Sequence, residues 1–239
     1  MSVLTETLSA GAAELGIELP EKKLILFEKY YAMIIQTNQN INLTAIVEER
    51  DVAVKHFTDA LTCLKAAPFD AAMSVLDVGS GAGIPGIPLK ICRPDLKITL
   101  IDSLDKRVKF LKSAIKGLGL EEIEAFHKRI EDLGRNKEYR GRYDRVLARA
   151  VANLGVLAEY CLPPLKKGGL FLAMKGPLPA EEIKNAEKAI TILGGVVERT
   201  VLLRLPITGE ERSLVVIRKI KDTPAKYPRR AGIPSKKPL

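Results

Sequence analysis

Residues Met73–Pro88, M-S-V-L-D-V-G-S-G-A-G-I-P-G-I-P, constrain this chain more than any other stretch. A short apolar run ends just past Asp77, glycines follow at positions 79, 81, 83 and 86, and a second apolar run begins. That order predicts a strand, a tight turn and the start of a helix, the opening unit of a nucleotide-binding type of α/β fold. Glycine is required because the backbone turns through positive φ and a ligand must approach where a Cβ would stand. Pro85 and Pro88 fit a helix that begins near Gly86, because first-turn N–H groups have no intrahelical partner to lose.

The loop alone leaves its ligand open. Gly81, Gly83 and Gly86 satisfy G-x-G-x-x-G, the dinucleotide fingerprint. Read from Asp77, the same residues are D-x-G-x-G-x-G, the loop that holds S-adenosylmethionine in Rossmann-like methyltransferases. Both readings need an acid at the end of the second strand to accept hydrogen bonds from ribose hydroxyls, and Lys97-Ile-Thr-Leu-Ile-Asp102 supplies it.

The rest of the pattern bears on the choice. Strands are expected at about 74–78, 97–102, 122–126, 143–149 and 168–174, with helices between them. Leu104, Val108, Leu111, Ile115 and Leu118 form the packed face of one such helix. After a helix at about 179–193, two β-rich runs, Val196–Leu205 and Ser213–Ile220, are joined by a link too short for a crossover, so they pair antiparallel. The fold class expected is therefore α/β, a Rossmann-like S-adenosylmethionine-dependent methyltransferase fold. Its sheet is seven-stranded and mostly parallel, with a C-terminal antiparallel hairpin and an N-terminal helical cap. The cap (1–70) carries Leu24, Phe27, Tyr31, Ile34 and Ile35, then Val54, Phe57, Leu61 and Leu64, at helical spacing. A methyltransferase domain (71–220) and a basic, proline-rich tail (221–239) follow. Prolines at 224, 228, 234 and 238 bar the tail from helix or inner strand, so it should lie extended on the surface or move freely.

The formal charge of +9 is unevenly placed. Residues 219–239 hold seven bases against one acid, and residues 128–149 eight against four, which leaves the remainder close to neutral. Two concentrated basic segments are a footprint for a polyanion. Cys63, Cys92 and Cys161 show no C-x-x-C spacing and read as small buried hydrophobes in a reducing compartment. No residue is assigned to a metal. Without a basic leader or an apolar run of spanning length, a soluble cytoplasmic protein is expected, with no membrane partner.

Several stretches together resemble one family. D-V-G-S-G-A-G-I-P-G-I-P-L (77–89), D-S-L-D-K-R-V-K-F-L (102–111), A-R-A-V-A (148–152), K-G-P (175–177) and Y-P-R-R-A-G-I-P-S-K-K-P-L (227–239) are similar to ribosomal RNA small subunit methyltransferases G, a family also known as glucose-inhibited division protein B. I-N-L-T (41–44) and K-H-F-T-D-A-L (55–61) extend the likeness into the cap. The resemblance implies a monomeric enzyme that transfers a methyl group from S-adenosylmethionine to N7 of one guanine in 16S ribosomal RNA of the small ribosomal subunit, releasing S-adenosylhomocysteine. It implies that Asp77, Gly79, Gly81, Gly83 and Ile84 form the cofactor cradle, with Asp102, Ser103 and Leu104 at the ribose and adenine. Ile130 and Glu131 would border the adenine, and Arg149 would face the cofactor or the incoming base. Lys226, Arg229, Arg230, Lys236 and Lys237 would grip RNA phosphates. Ala60 and Ala148 depart from the family pattern, where serine is common.

N7 chemistry suits these residues. The N7 lone pair lies in the plane of neutral guanine, outside the ring conjugation, so it can attack a sulfonium methyl without prior deprotonation. No general base is then needed, and the rate comes from positioning. The chain offers only His56 and His127, and no cysteine pair for a covalent pyrimidine mechanism. His56 reads as structural; Asn153 either orients the guanine or caps a helix. Two alternatives stand beside this reading. An NAD(P)-dependent oxidoreductase would need a Tyr/Lys or His/Asp proton-transfer set, and a non-catalytic RNA-binding module would leave the glycine cradle idle.

Overall fold

A computed structural model describes residues 2–149, 151–177 and 179–239. Its sheet has seven strands in the order β3-β2-β1-β4-β5-β7-β6. They are β1 (Ser74–Val78), β2 (Lys97–Asp102), β3 (Ile123–His127), β4 (Tyr143–Arg149), β5 (Leu165–Lys175), β6 (Gly195–Arg204) and β7 (Glu211–Lys219). The first five run parallel, and β7 pairs antiparallel with both β5 and β6. The expected hairpin is present, inserted so that its second strand lies inside the sheet and its first forms the edge.

The inner strands are buried on both faces, as a parallel sheet covered on two sides requires. Val75, Leu100, Leu147 and Leu172 face one core, while Leu76, Ile101, Val146 and Phe171 face the other. Against the first core lie α1 (Val3–Glu14), α2 (Glu21–Asn38) and a helical stretch made of α3 (Glu49–Val52), a π-helical segment (Ala53–Thr58), α4 (Asp59–Leu61) and α5 (Cys63–Ala66). Helices α6 (Gly86–Cys92) and α7 (Asp105–Leu118) complete that layer. Helices α8 (Ile130–Arg135), α9 (Leu154–Cys161) and α10 (Ala180–Ile192) cover the second core. The cap and the sheet thus share one apolar interior. Phe27, Tyr30 and Phe57 pack ring on ring, with centroids 5.0 and 5.4 Å apart, in the same cluster as Val75 and Leu100.

Three expectations are corrected. The inward face of α2 runs Leu24, Phe27, Tyr30 and Ile34, so Tyr30 rather than Tyr31 points into the core; Tyr31 is partly buried and donates its hydroxyl to the Val47 carbonyl. Leu104 is 52% exposed at the N-cap of α7 and does not share that helix's packed face, which is carried by Val108, Leu111 and Leu118. The tail is neither extended nor free. Tyr227 and Pro228 are buried, Thr223 Oγ1 donates to the Leu193 carbonyl at 2.7 Å, and a last helical turn, α11 (Ile233–Lys236), closes it. Pro234 fits there because it stands in the first turn, where an absent N–H costs nothing. No helix among the described residues is long and apolar enough to cross a membrane.

Candidate active site

The glycine loop lies at the carboxyl ends of β1 and β2. Gly79, Gly81 and Gly83 have φ of +69°, +58° and +92°, which a Cβ would disfavour. The N–H groups of Gly79 and Ser80 donate to the Ile101 carbonyl at 2.9 and 3.0 Å, fixing the loop on β2. From the cap, the Tyr30 hydroxyl donates to the Ala82 carbonyl. Gly83 is glycine for packing too: a Cβ there would sit 2.6 Å from Ile87 and 2.9 Å from that hydroxyl.

Asp77 lies beneath the loop, buried. Its Oδ2 accepts the Gly86 N–H at 3.0 Å and so caps α6 from outside the helix, while Oδ1 has no partner among the described residues. Burial, opposed by the Gly86 and Ser80 hydrogen bonds, raises its pKa to about 7. Ile84 is buried in the core shared with the cap. Asp102 is the hinge of the site. Its Oδ2 accepts the Gly81 N–H at 3.0 Å, its Oδ1 accepts the Leu104 N–H at 2.9 Å, and Arg107 stands 3.7 Å away. A carboxylate has about four acceptor positions, so these two bonds leave capacity for a ligand.

A cavity of about 210 Å3, open to solvent, begins at this point. Gly79, Asp102, Ser103, Ile130 and Glu131 line it together, joined by Lys128, Arg129, Val151, Tyr160, Gly232 and Ser235. Asp77, Gly81, Gly83, Ile84 and Leu104 are not on its wall; they shape the loop or its flanks. Arg149 also stands apart. Its guanidinium donates to the Asp59 carboxylate at 3.0 Å and to the Lys55 carbonyl at 2.9 Å, toward the cap.

Sequence reasoning missed the C-terminal wall of this cavity. Gly232 donates its N–H to Glu131 Oε1 at 2.9 Å, and the hydroxyls of Tyr160 and Ser235 are 2.8 Å apart. Arg229 anchors this tail, residues 221–239, as a strap across the cavity's edge. Its Nε lies 2.9 Å and its Nη2 2.6 Å from the carboxylate of Glu159, which is 1% exposed, and its backbone N–H donates to the same group at 2.7 Å. Arg229 is therefore engaged within the fold. Lys226, Arg230, Lys236 and Lys237 are exposed. Other bases counted as a polyanion footprint are also occupied. Lys219 is buried and donates to the carbonyls of Leu162 and Leu165, Arg145 donates to that of Pro68, and Arg140 to those of Gly134 and Tyr227.

The remaining titratable groups are placed as follows. His56 is buried between Thr44 Oγ1, at 2.8 Å, and the Lys55 carbonyl, at 3.1 Å; burial and then the Arg149 charge lower its pKa to about 4. His127 is exposed, 3.0 Å from the Ser103 carbonyl and 3.9 Å from Asp105. All three cysteines are buried, and burial pushes their thiols up, Cys92 to about 12. Asn153 caps α9, accepting the Val156 N–H at 3.0 Å.

Sheet topology discriminates between the two loop readings. A dinucleotide-binding doubly wound sheet has the order 3-2-1-4-5-6. Here an antiparallel β7 is inserted between β5 and β6. A family model described as rRNA small subunit methyltransferase G matches residues 23–215. The chain is 57% identical over 239 residues to the ribosomal RNA small subunit methyltransferase G of Pelotomaculum thermopropionicum, covering 100% of both chains. The chain belongs to the rRNA small subunit methyltransferase G family. The family's protein from Bacillus subtilis is 47% identical over 234 residues, 98% of either chain. Among solved structures, a SAM dependent methyltransferase from Aquifex aeolicus superposes with a TM-score of 0.51 at 18% identity, over 67% of this chain and 89% of that one, which shows a shared fold. The cofactor of an rRNA small subunit methyltransferase G is S-adenosylmethionine, and the cavity suits it. Asp102 keeps acceptor capacity at the end of β2, and a Cβ on Gly79 would fill the cradle, meeting Val151 at 2.7 Å.

Proposed function

We propose that this enzyme methylates N7 of one guanine in 16S ribosomal RNA. Gly79, Asp102, Ser103, Ile130 and Glu131 would hold S-adenosylmethionine, with Gly81 setting the Asp102 carboxylate. When bound, that cofactor supplies an electrophilic sulfonium methyl group. The observation that carries the N7 assignment is how the acids and bases around the cavity are employed. Asp102 and Glu131 are held as acceptors by backbone N–H groups. His56 lies on the cap side, kept neutral by burial, and His127 faces solvent. Guanine N1 or N2 would need a proton removed before or during transfer, whereas N7 keeps a free lone pair in the neutral base. What the chain must then provide is alignment, a task for a rigid loop and a fixed wall.

Lys226, Arg230, Lys236 and Lys237, with Lys128 and Arg129 on the cavity wall, form the phosphate-binding set we assign. Arg229 leaves that set because Glu159 already engages it. The test is the single-turnover rate of methyl transfer to 16S ribosomal RNA across about two pH units around neutrality. Without proton removal the rate should change less than about threefold. A rise of about tenfold per pH unit would contradict the assignment.

A further inference from the structure

A second cavity, about 270 Å3, opens at the carboxyl ends of β4 and β5, lined by Asp59, Arg149, Met174, Lys175, Gly176 and Arg212. It adjoins the first. Lys175 Nζ donates at 3.0 Å to the carbonyl of Ala152, a residue on the first cavity's wall, and Arg149 and Met174 are register partners. Ligands of open α/β sheets bind beyond this edge.

Charge pairing argues against a simple phosphate pocket. Lys175 is paired with Glu182 at 2.6 Å, Arg212 with Glu210 at 2.8 Å, and Arg149 with Asp59 at 3.0 Å. What is under-used is an acceptor. The Asp59 side chain, delivered by the π-helical segment that precedes it, is 8% exposed. Its Oδ2 receives Arg149, whereas its Oδ1 has, among the described residues, only Nε of Arg212 at a long 3.4 Å. A carboxylate oxygen on a cavity wall whose near donor is held at a long distance can take a second, shorter donor from a ligand. This arrangement suits a neutral ligand that presents two adjacent donors to the carboxylate and one acceptor to a guanidinium. Among the four RNA bases only guanine has that edge: N1–H and N2–H2 beside O6.

We propose that Asp59 is the specificity residue for the target guanine, accepting from N1–H and N2–H2 while the neighbouring guanidinium groups hold O6. The idea rests on the N7 assignment, since hydrogen bonds to N1–H and N2–H2 leave N7, on the Hoogsteen edge, free to react.

The test uses the full-length enzyme and 16S ribosomal RNA transcripts carrying guanosine or inosine at the methylated position. Inosine lacks the N2 amino group. Wild type should favour guanosine by about tenfold or more in kcat/KM, the value of a hydrogen bond to a charged group. Asp59→Asn should lose most of that preference, with S-adenosylhomocysteine affinity changed less than about twofold. A preserved guanosine preference in Asp59→Asn overturns the proposal. So does a large loss of S-adenosylhomocysteine affinity, which would make the cavity part of the cofactor site. If the variant does not fold, the wild type decides alone, because equal rates on guanosine and inosine overturn the proposal and a guanosine preference supports it. Borohydride and aniline cleavage of the wild-type product reads separately whether N7 carries the methyl, so failure of the N7 assignment is told apart from failure of this one.

Discussion

Replacing Arg229 with methionine should destabilise the whole fold and weaken cofactor binding with it. The Glu159 carboxylate, 1% exposed on α9, loses both side-chain donors and keeps the Arg229 backbone N–H. Removing one partner of a buried ion pair costs about 3–5 kcal/mol, and because Arg229 is 24% exposed, water can reach the vacated space, so we take about 3 kcal/mol. For a chain of this size that lowers Tm by about 6–12 °C. Methionine keeps most of the volume, so the loss reports the charge and not a cavity. The strap that this pair anchors carries Gly232 and Ser235 to the cofactor cavity, so S-adenosylhomocysteine affinity should fall in parallel. Glu159→Gln in the same chain should restore much of the stability, since no unpaired charge is then buried. Urea unfolding with isothermal calorimetry reads both effects. If Arg229→Met leaves the urea midpoint and the cofactor affinity unchanged but lowers the salt slope of RNA binding by about one unit, Arg229 is a phosphate contact and the structural reasoning fails.

Asp102→Ala removes the acceptor that ties Gly81 and Leu104, and should weaken S-adenosylhomocysteine binding at least about tenfold by calorimetry; wild-type affinity in a folded variant would take Asp102 out of the site. Asp77 titrates near 7 in the folded chain against an ordinary value of 3.8, so the folded state holds a proton that the unfolded chain has released between those values. That contribution to stability is full below about pH 4 and is lost as pH rises through about 7. Urea unfolding should show this decline in wild type, and Asp77→Asn should lack it. Lys236→Gln with Lys237→Gln should leave Tm unchanged, both side chains being exposed, and lower the slope of log K against log salt for RNA by about 1.5. An unchanged slope would remove both from the phosphate set.

Legibility in the sequence followed the range of the interactions. The strands, the glycine loop and the start of α6 at Gly86 were readable because alternation, positive φ and a proline in the first turn are local constraints. The final hairpin was readable because its link is too short to cross over. Helical spacing put the inward aromatic of α2 one residue away, at Tyr31, because Tyr30 and Tyr31 both satisfy a 3.6-residue period and only the sheet surface chooses between them. The tail was misread for a related reason. Prolines and bases describe a segment in water, whereas its position is decided by Glu159, Tyr160 and Glu131, which lie about 70 to 100 residues away toward the N-terminus. A count of charges cannot separate a lysine bound to phosphate from Lys219, whose ammonium is buried among carbonyl oxygens. Nor does any pattern announce the π-helical segment that brings Asp59 to a cavity beside Arg149.

The central claim is methyl transfer to guanine N7, and one measurement meets it directly. Purified enzyme, 16S ribosomal RNA and S-adenosylmethionine labelled in the methyl group are incubated, and the RNA is then treated with borohydride and aniline, which break the chain at N7-methylguanine. We expect one new break at a single guanine, with label in stoichiometric amount at that position, and no break when Asp102→Ala replaces the wild type at a cofactor concentration limiting for the variant. Label incorporated without a break would place the methyl group on another atom and contradict the account.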